Sequence, residues 1–200
     1  MKRTHVKRRL LGAAVLVAGA TLSGGARALP NKIKGDVYHS ARLNLTAELP
    51  AGFDASTGDD RSPALNLDGK PGNRATGIFE FVDAPPDLAL QSYYFSAVAG
   101  LVGAMGKQGK ALVPVSSGTG DVGWAKGPER IWKIANTEMT VRALLLPDCG
   151  GKASLGFIEV WSNAANKSAL DGWIGSFTPT DDREPPACRD LRTAAATKQP

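Results

Sequence analysis

Between Glu138 and Phe177 the order of apolar and polar positions predicts two strands, a tight turn and a helix. Met139, Val141, Ala143 and Leu145 alternate with Thr140 and Arg142, and then Leu144 and Leu146 make both faces apolar, as in an inner strand. Pro147 stops it. Asp148, Cys149, Gly150 and Gly151 tolerate the positive φ that a chain reversal needs, and Leu155 to Trp161 returns with β-branched and aromatic residues as the second arm of a hairpin. Ser162 or Asn163 then caps a helix whose Leu170, Trp173, Ile174 and Phe177 recur at i, i+3, i+4 and i+7, one stripe facing the sheet.

Upstream, Val37, His39, Ala41, Leu43, Leu45, Ala47 and Leu49 occupy every second position, which predicts one long strand over 37 to 49 with its other face wet. Pro50-Ala51-Gly52-Phe53 turns the chain into a polar loop over 54 to 62. A short strand at Pro63 to Leu67 and the turn Asp68-Gly69 lead through Pro71-Gly72-Asn73 to a strand at Ala75 to Val82. From Asp87 the period lengthens. Leu90, Tyr94, Ala97, Val98, Leu101 and Met105 fall on one stripe of a helix over 87 to 105, with Asp87 as cap and Gly106 as terminator. The Gly-rich segment 107 to 128 predicts short strands at Leu112 to Val115, confined to an edge by Pro114, and at Val122 to Ala125, with a loop over Ser116 to Gly120. Arg130 to Ala135 is a further strand, joined by Asn136-Thr137 to the one at 138 to 147. After Pro179 the composition turns Pro-, Asp- and Arg-rich and then Ala/Thr, which predicts a disordered tail over 179 to 200 except where Cys188 holds it.

Elements in this order make an α+β chain, a mainly antiparallel β-sheet flanked by two helices, in a single domain over 29 to 178. With that order, the Leu49-Pro50-Ala51-Gly52-Phe53 segment and the Leu145-Leu146-Pro147-Asp148-Cys149-Gly150-Gly151 turn ahead of a strand and helix, the chain resembles the PsbP-like α/β/α sandwich proteins over roughly 37 to 178. The resemblance implies an architecture and an accessory or binding role. It carries over no functional residue, because members of that family share no common catalytic set.

The first 28 residues read as an address. Lys2, Arg3, Lys7, Arg8 and Arg9 precede an apolar run from Leu10 to Leu22, and Ala26-Arg27-Ala28 fits the small-x-small cleavage rule, so the mature chain is expected to begin at Leu29. The run is short against the roughly 20 residues that span a bilayer. Arg8-Arg9-Leu10-Leu11 is similar to a twin-arginine signal, with Lys7 where that pattern usually has Ser or Thr, so both export routes stay open. Removing the leader changes the electrostatics. It holds six of the 24 basic residues and none of the 19 acidic ones, so a formal charge of +5 becomes −1 and the case for nucleic acid disappears. His5 leaves with it, and His39 is then the one remaining imidazole. The expected location is periplasmic or secreted. There Cys149 and Cys188 form a single bridge or stay as two inert or solvent-facing thiols; a bridge across a loop of this length is worth about 4 kcal/mol on the chain-entropy model.

Several patterns invite chemistry and each has a bland reading. Gly118-Thr119-Gly120-Asp121-Val122-Gly123 matches the letters of a dinucleotide loop, but Trp124 and Gly127-Pro128 follow, so no helix N-terminus faces a pyrophosphate. Asp54, Ser56, Gly58, Asp59 and Asp60 offer oxygen ligands for calcium without the closing Glu of an EF-hand loop. Cys149 with His39 as base suits a thiol nucleophile, but the same Cys149 is the partner of Cys188. No Gly-x-Ser-x-Gly elbow is present. Glu80, Asp83 and Glu159 could supply a carboxylate pair, the runner-up reading being a small secreted carboxylate-dependent hydrolase. No catalytic, cofactor or metal site is therefore expected.

The helix from Leu88 to Gly106 is the oddity, for it contains no charged residue. Opposite its apolar stripe stand Ser92, Ser96, Gly100 and Gly103, where a solvated helix carries Lys and Glu. Cover by another part of the chain, membrane insertion and contact with a second protein each explain such a face. The expectation is an exported, non-enzymatic accessory or binding domain that meets an envelope protein or small ligand through this face, without stable membrane insertion once the leader is removed.

Overall fold

The computed structural model describes residues 31–58, 64–105, 112–122 and 124–196. The expected leader, Asp59, Asp60, Gly106 and Gly123 lie outside them. β1 (Asn31–Lys34), β2 (Val37–Ser40), β3 (Leu45–Glu48) and the short β11 (Thr178–Pro179) form a four-stranded sheet in the order β1-β2-β3-β11. β4 (Phe53–Ser56), β5 (Leu65–Gly69), β6 (Ala75–Val82), β7 (Leu112–Asp121), β8 (Lys126–Ile134), β9 (Thr140–Asp148) and β10 (Ala153–Trp161) form a seven-stranded sheet in the order β4-β5-β6-β10-β9-β8-β7. The neighbours in both sheets run antiparallel. α1 (Pro86–Leu88) continues through a π-helical turn (Ala89–Tyr94) into α2 (Phe95–Met105); α3 (Ala164–Gly175) follows β10, and α4 (Pro186–Ala196) follows β11.

The seven-stranded sheet is the central layer because β9 and β10 are apolar on both faces. Leu144, Leu146, Leu155 and Phe157 look to one side, where α3 and the four-stranded sheet bring Leu170, Trp173, Ile174, Phe177, Tyr38, Leu45 and Ala47. Val141, Ala143, Leu145, Ile158 and Val160 look to the other, where the long helix brings Leu90, Tyr94, Val98, Leu101 and Val102. In the first core the rings of Phe79, Phe157, Trp173 and Phe177 meet at centroid distances from 4.6 to 5.9 Å, with Tyr38 closing on Phe79 at 6.0 Å. Each such side chain is worth roughly 1.5–3 kcal/mol of transfer free energy on burial. The fold is thus α+β with a mainly antiparallel sheet between helical layers, as the pattern predicts.

The hairpin and final helix form as expected: β9 pairs with β10 from Asp148↔Ala153 to Thr140↔Trp161, and Asn163 caps α3 by accepting a hydrogen bond from the Asn166 N–H at 2.9 Å. Pro147 does not end β9 but lies within it, paired with Ser154.

Elsewhere the pattern misleads. The single strand expected over 37 to 49 is a hairpin, β2 paired with β3. Asn44 takes a φ of 54°, and its amide donates to the Asp181 carbonyl at 2.9 Å and carboxylate at 2.7 Å. The reversal inverts the alternation, so Tyr38 and Ser40 are buried before the turn, Leu43 within it, and Leu45 and Ala47 after it. His39 therefore faces away from the core. Phe53–Ser56, expected to open a loop, is edge strand β4. The expected loop at Ser116 to Gly120 is the middle of the ten-residue β7, and a bulge between Pro114 and Ser116 absorbs the proline. Asp87 is not the helix cap; Pro85 holds that position and Pro86 starts the helix, as a residue without an N–H suits.

Part of the tail expected to be disordered is helical where Cys188 holds it. α4 is helical from Pro186 to Ala196, with Ala187 and Cys188 buried, and the Ala187 N–H donates to the Arg42 carbonyl at 3.1 Å. Pattern alone hides this because the helix is fastened by a covalent bond rather than by a broad apolar face.

Candidate functional site: an uncharged helix face

The π-helical turn sets the aspect of the long helix. The extra residue it admits brings Tyr94 fully into the sheet side, where its hydroxyl lies over Gly156: a β-carbon there would stand 2.5 Å from the oxygen. Burial, and then the charge of Glu80, push the Tyr94 hydroxyl well above its usual range, so it stays protonated. Gly156 pairs with Glu80 across β10 and β6, which fixes this end of the helix over the middle of the sheet.

The opposite side of the helix is open. Ser92, Ser96, Gly100 and Gly103, the four residues singled out from sequence, are all exposed, and no described residue covers them. Leu88 is 58% exposed and Phe95 45%. Phe95 leans on Trp132 of β8 at a centroid distance of 6.2 Å, so the exposed ring is anchored on its inner side. The Ser92 hydroxyl donates to the Leu88 carbonyl at 2.9 Å and the Ser96 hydroxyl to the Ser92 carbonyl at 3.3 Å. Both serines thus turn their polar groups back onto the helix, and the face offers solvent neither charge nor free hydroxyl protons. No helix among the described residues is long and apolar enough to cross a membrane.

The candidate catalytic residues do not assemble. Glu80 pairs with Gly156 and Glu159 with Gly77, an odd separation along β6, so the two carboxylates lie on opposite faces of the sheet. Asp83 lies exposed beyond the end of β6. Glu159 is 1% exposed and meets Arg142, whose Nε lies 2.6 Å from Glu159 Oε2 while Nη2 reaches Asp171 of α3 at 3.0 Å and Nη1 reaches Glu129 at 3.7 Å. Lys167 joins Asp171 at 2.5 Å. The Arg142–Glu159 contact is a charge contact without an aligned hydrogen bond. Burial pushes the Glu159 carboxyl up to about 7 although Arg142 pulls it down. This cluster ties the sheet to α3, with Glu159 buried at its inner end. Sequence reasoning did not anticipate it, though an arginine between Val141 and Ala143 signals a buried partner.

A shallow groove of about 250 Å³ lies where the helix begins, lined by Asp87, Gln91, Ser117 and Arg130 among others, and it includes none of Glu80, Glu159 or His39. Cys149 and Cys188 are joined in a disulfide with a Cα–Cα distance of 5.1 Å, so neither is a free nucleophile for His39, which sits in the other sheet opposite Thr46. Asp148 lies against this pair, burial raising its carboxyl above the ordinary range. Of the calcium-type run, Asp54 and Ser56 belong to β4. Gly118, Gly120 and Asp121 of the dinucleotide-like pattern belong to β7, which is followed by β8 and not by a helix.

The class these features define is an α+β sandwich, a mainly antiparallel sheet between helical layers, with an uncharged outer helix face. No protein-family model matches the chain, and no curated protein matches it in sequence. Among solved structures it is similar to the solution structure of cyanobacterial PsbP (CyanoP) from Synechocystis sp. PCC 6803, with a TM-score of 0.48 and 12% identity over 80% of this chain and 98% of that one. That likeness is one of fold alone.

Proposed function

We propose that this chain is an exported, non-enzymatic accessory domain that binds a neighbouring envelope protein through the outward face of the helix over 86 to 105. The observation that carries the reading is the exposure of Leu88 and Phe95 on a face without charge whose serines are bonded internally. Leaving such area in water wastes transfer free energy of roughly 25 cal/mol per Å², and a partner's apolar surface recovers it. The partner this face fits is an uncharged apolar surface, since a charged one would lose hydration with nothing to pair against. Export by the first 28 residues belongs to the same proposal, and the Cys149–Cys188 bridge supports it, because such bonds persist in oxidising compartments.

The test is association of the domain with envelope proteins, captured by cross-linking, for the natural chain and for S96K/G100K. Both positions are exposed, so the lysines leave the core untouched. The expected result is loss of a discrete cross-linked partner with an unchanged melting temperature; equal capture by both proteins discards the reading. Recovery of a mature chain that begins at Leu29 tests the export half.

A further inference from the structure

The turn between β9 and β10 carries three successive residues at positive φ: Cys149 at 52°, Gly150 at 68° and Gly151 at 83°. It projects into open space, for a β-carbon on Gly150 or Gly151 would meet nothing within 4 Å. Cys149 is half-buried on this turn, whereas Cys188 is 4% exposed. Behind Cys188 stands α4, whose buried residues are Ala187 and Cys188 alone. Its first turn is held by the bridge, by the small side chain of Ala187 and by the Ala187 N–H on the Arg42 carbonyl.

We propose that Cys149 is a thiol–disulfide exchange site for a small thiol, and that exchange there releases α4 from the sandwich. Cys149 is the more exposed half of the bridge and Cys188 the buried one, so the incoming thiolate attacks at Cys149. A bond forms between the incoming sulfur and Cys149 Sγ, the bond to Cys188 Sγ breaks, and Cys188 leaves as a thiolate that takes a proton from water. One disulfide replaces another, so this step requires no oxidant or reductant beyond the thiol itself. With its covalent tie gone, the fully buried side chains that α4 keeps in the domain are the small ones of Ala187 and Cys188. Side chains of that size bury little apolar area for an eleven-residue helix, so loss of the bridge frees it.

The full chain with its bridge intact is incubated with glutathione at neutral pH without denaturant, free thiols are trapped by alkylation, and the adducts are located by mass spectrometry. Glutathione is expected on Cys149 at least about tenfold more often than on Cys188, with the alkyl group on Cys188. Trypsin cleavage after Arg189 and Arg192 is expected to rise by about tenfold or more while cleavage within 31 to 178 stays unchanged. Glutathione mainly on Cys188, or no adduct until denaturant is added, overturns the exchange site. An adduct on Cys149 with unchanged cleavage in α4 overturns the release. C188A should match the thiol-treated chain in trypsin sensitivity, and if that variant does not fold, the adduct map of the natural chain decides by itself.

Discussion

Glu159 sits in a strand whose nine residues are all buried, and its carboxylate has left water for the company of Arg142. Desolvation exceeds the attraction, which is why its carboxyl titrates at about 7 rather than at the ordinary 4.5. The sign follows from linkage. Between those two values the folded chain holds a proton that the unfolded chain has lost, so stability from this group is fully present below about pH 4.5 and is lost as pH rises through about 7. The loss amounts to roughly 3 kcal/mol at about 1.4 kcal/mol per pH unit. E159Q cannot ionise, so urea titrations at pH 5 and pH 8 should show a flatter dependence for the variant; parallel curves would mean that the carboxylate is not desolvated as the geometry implies. Arg142 was legible as a charge in an apolar strand. Its three carboxylate partners were not, since they come from β8, β10 and α3.

At the scale of elements, local chemistry and pattern agree where one element carries its own signal. Asn163 is such a signal: it takes extended backbone before α3 and satisfies the Asn166 N–H. N163A should lower stability by about 1 kcal/mol, read from the urea midpoint, with unchanged slope. The helix over 86 to 105 was read from its stripe, yet the π-helical turn at Ala89–Tyr94 was invisible, because it answers to a tertiary demand, the fit of Tyr94 over Gly156. β2 and β3 were read as one strand because the alternation runs unbroken through Ala41 to Asn44. What breaks it is Asn44, whose amide reaches Asp181, more than a hundred residues away. Ser116 to Gly120 was read as a loop because Ser, Thr and Gly dominate it, and it is the middle of a strand because β8 offers β7 a ladder from Leu112 to Asp121.

The whole molecule hangs on one sheet with a core on each face. A strand such as β10 contributes Phe157 to one core and Ile158 to the other, so neither layer can loosen alone. F157A, in the aromatic core, should cost about 3–5 kcal/mol and L145A, in the helix-side core, about 2–5 kcal/mol. Each should still unfold in one transition, coincident by far-UV circular dichroism and by tryptophan fluorescence, and separate transitions for the two layers would refute the shared-sheet account. The uncharged helix face was legible at this scale too, as an absence of Lys and Glu. That no described residue covers it was not, since that depends on where β7 and α4 come to rest.

By itself the sequence determined the α+β class, the hairpin at Cys149 to Gly151, the two main helices and a helix side without charge, because each follows from periodicity or turn chemistry within one segment. Only the tertiary structure decided that Cys149 joins Cys188, that Pro186 to Ala196 is helical, that Glu80 and Glu159 lie on opposite faces of the sheet and that Arg142 gathers three carboxylates. Those are relations between residues distant along the chain, and hydrophobic periodicity carries no information about which distant groups will share a small volume once water is excluded.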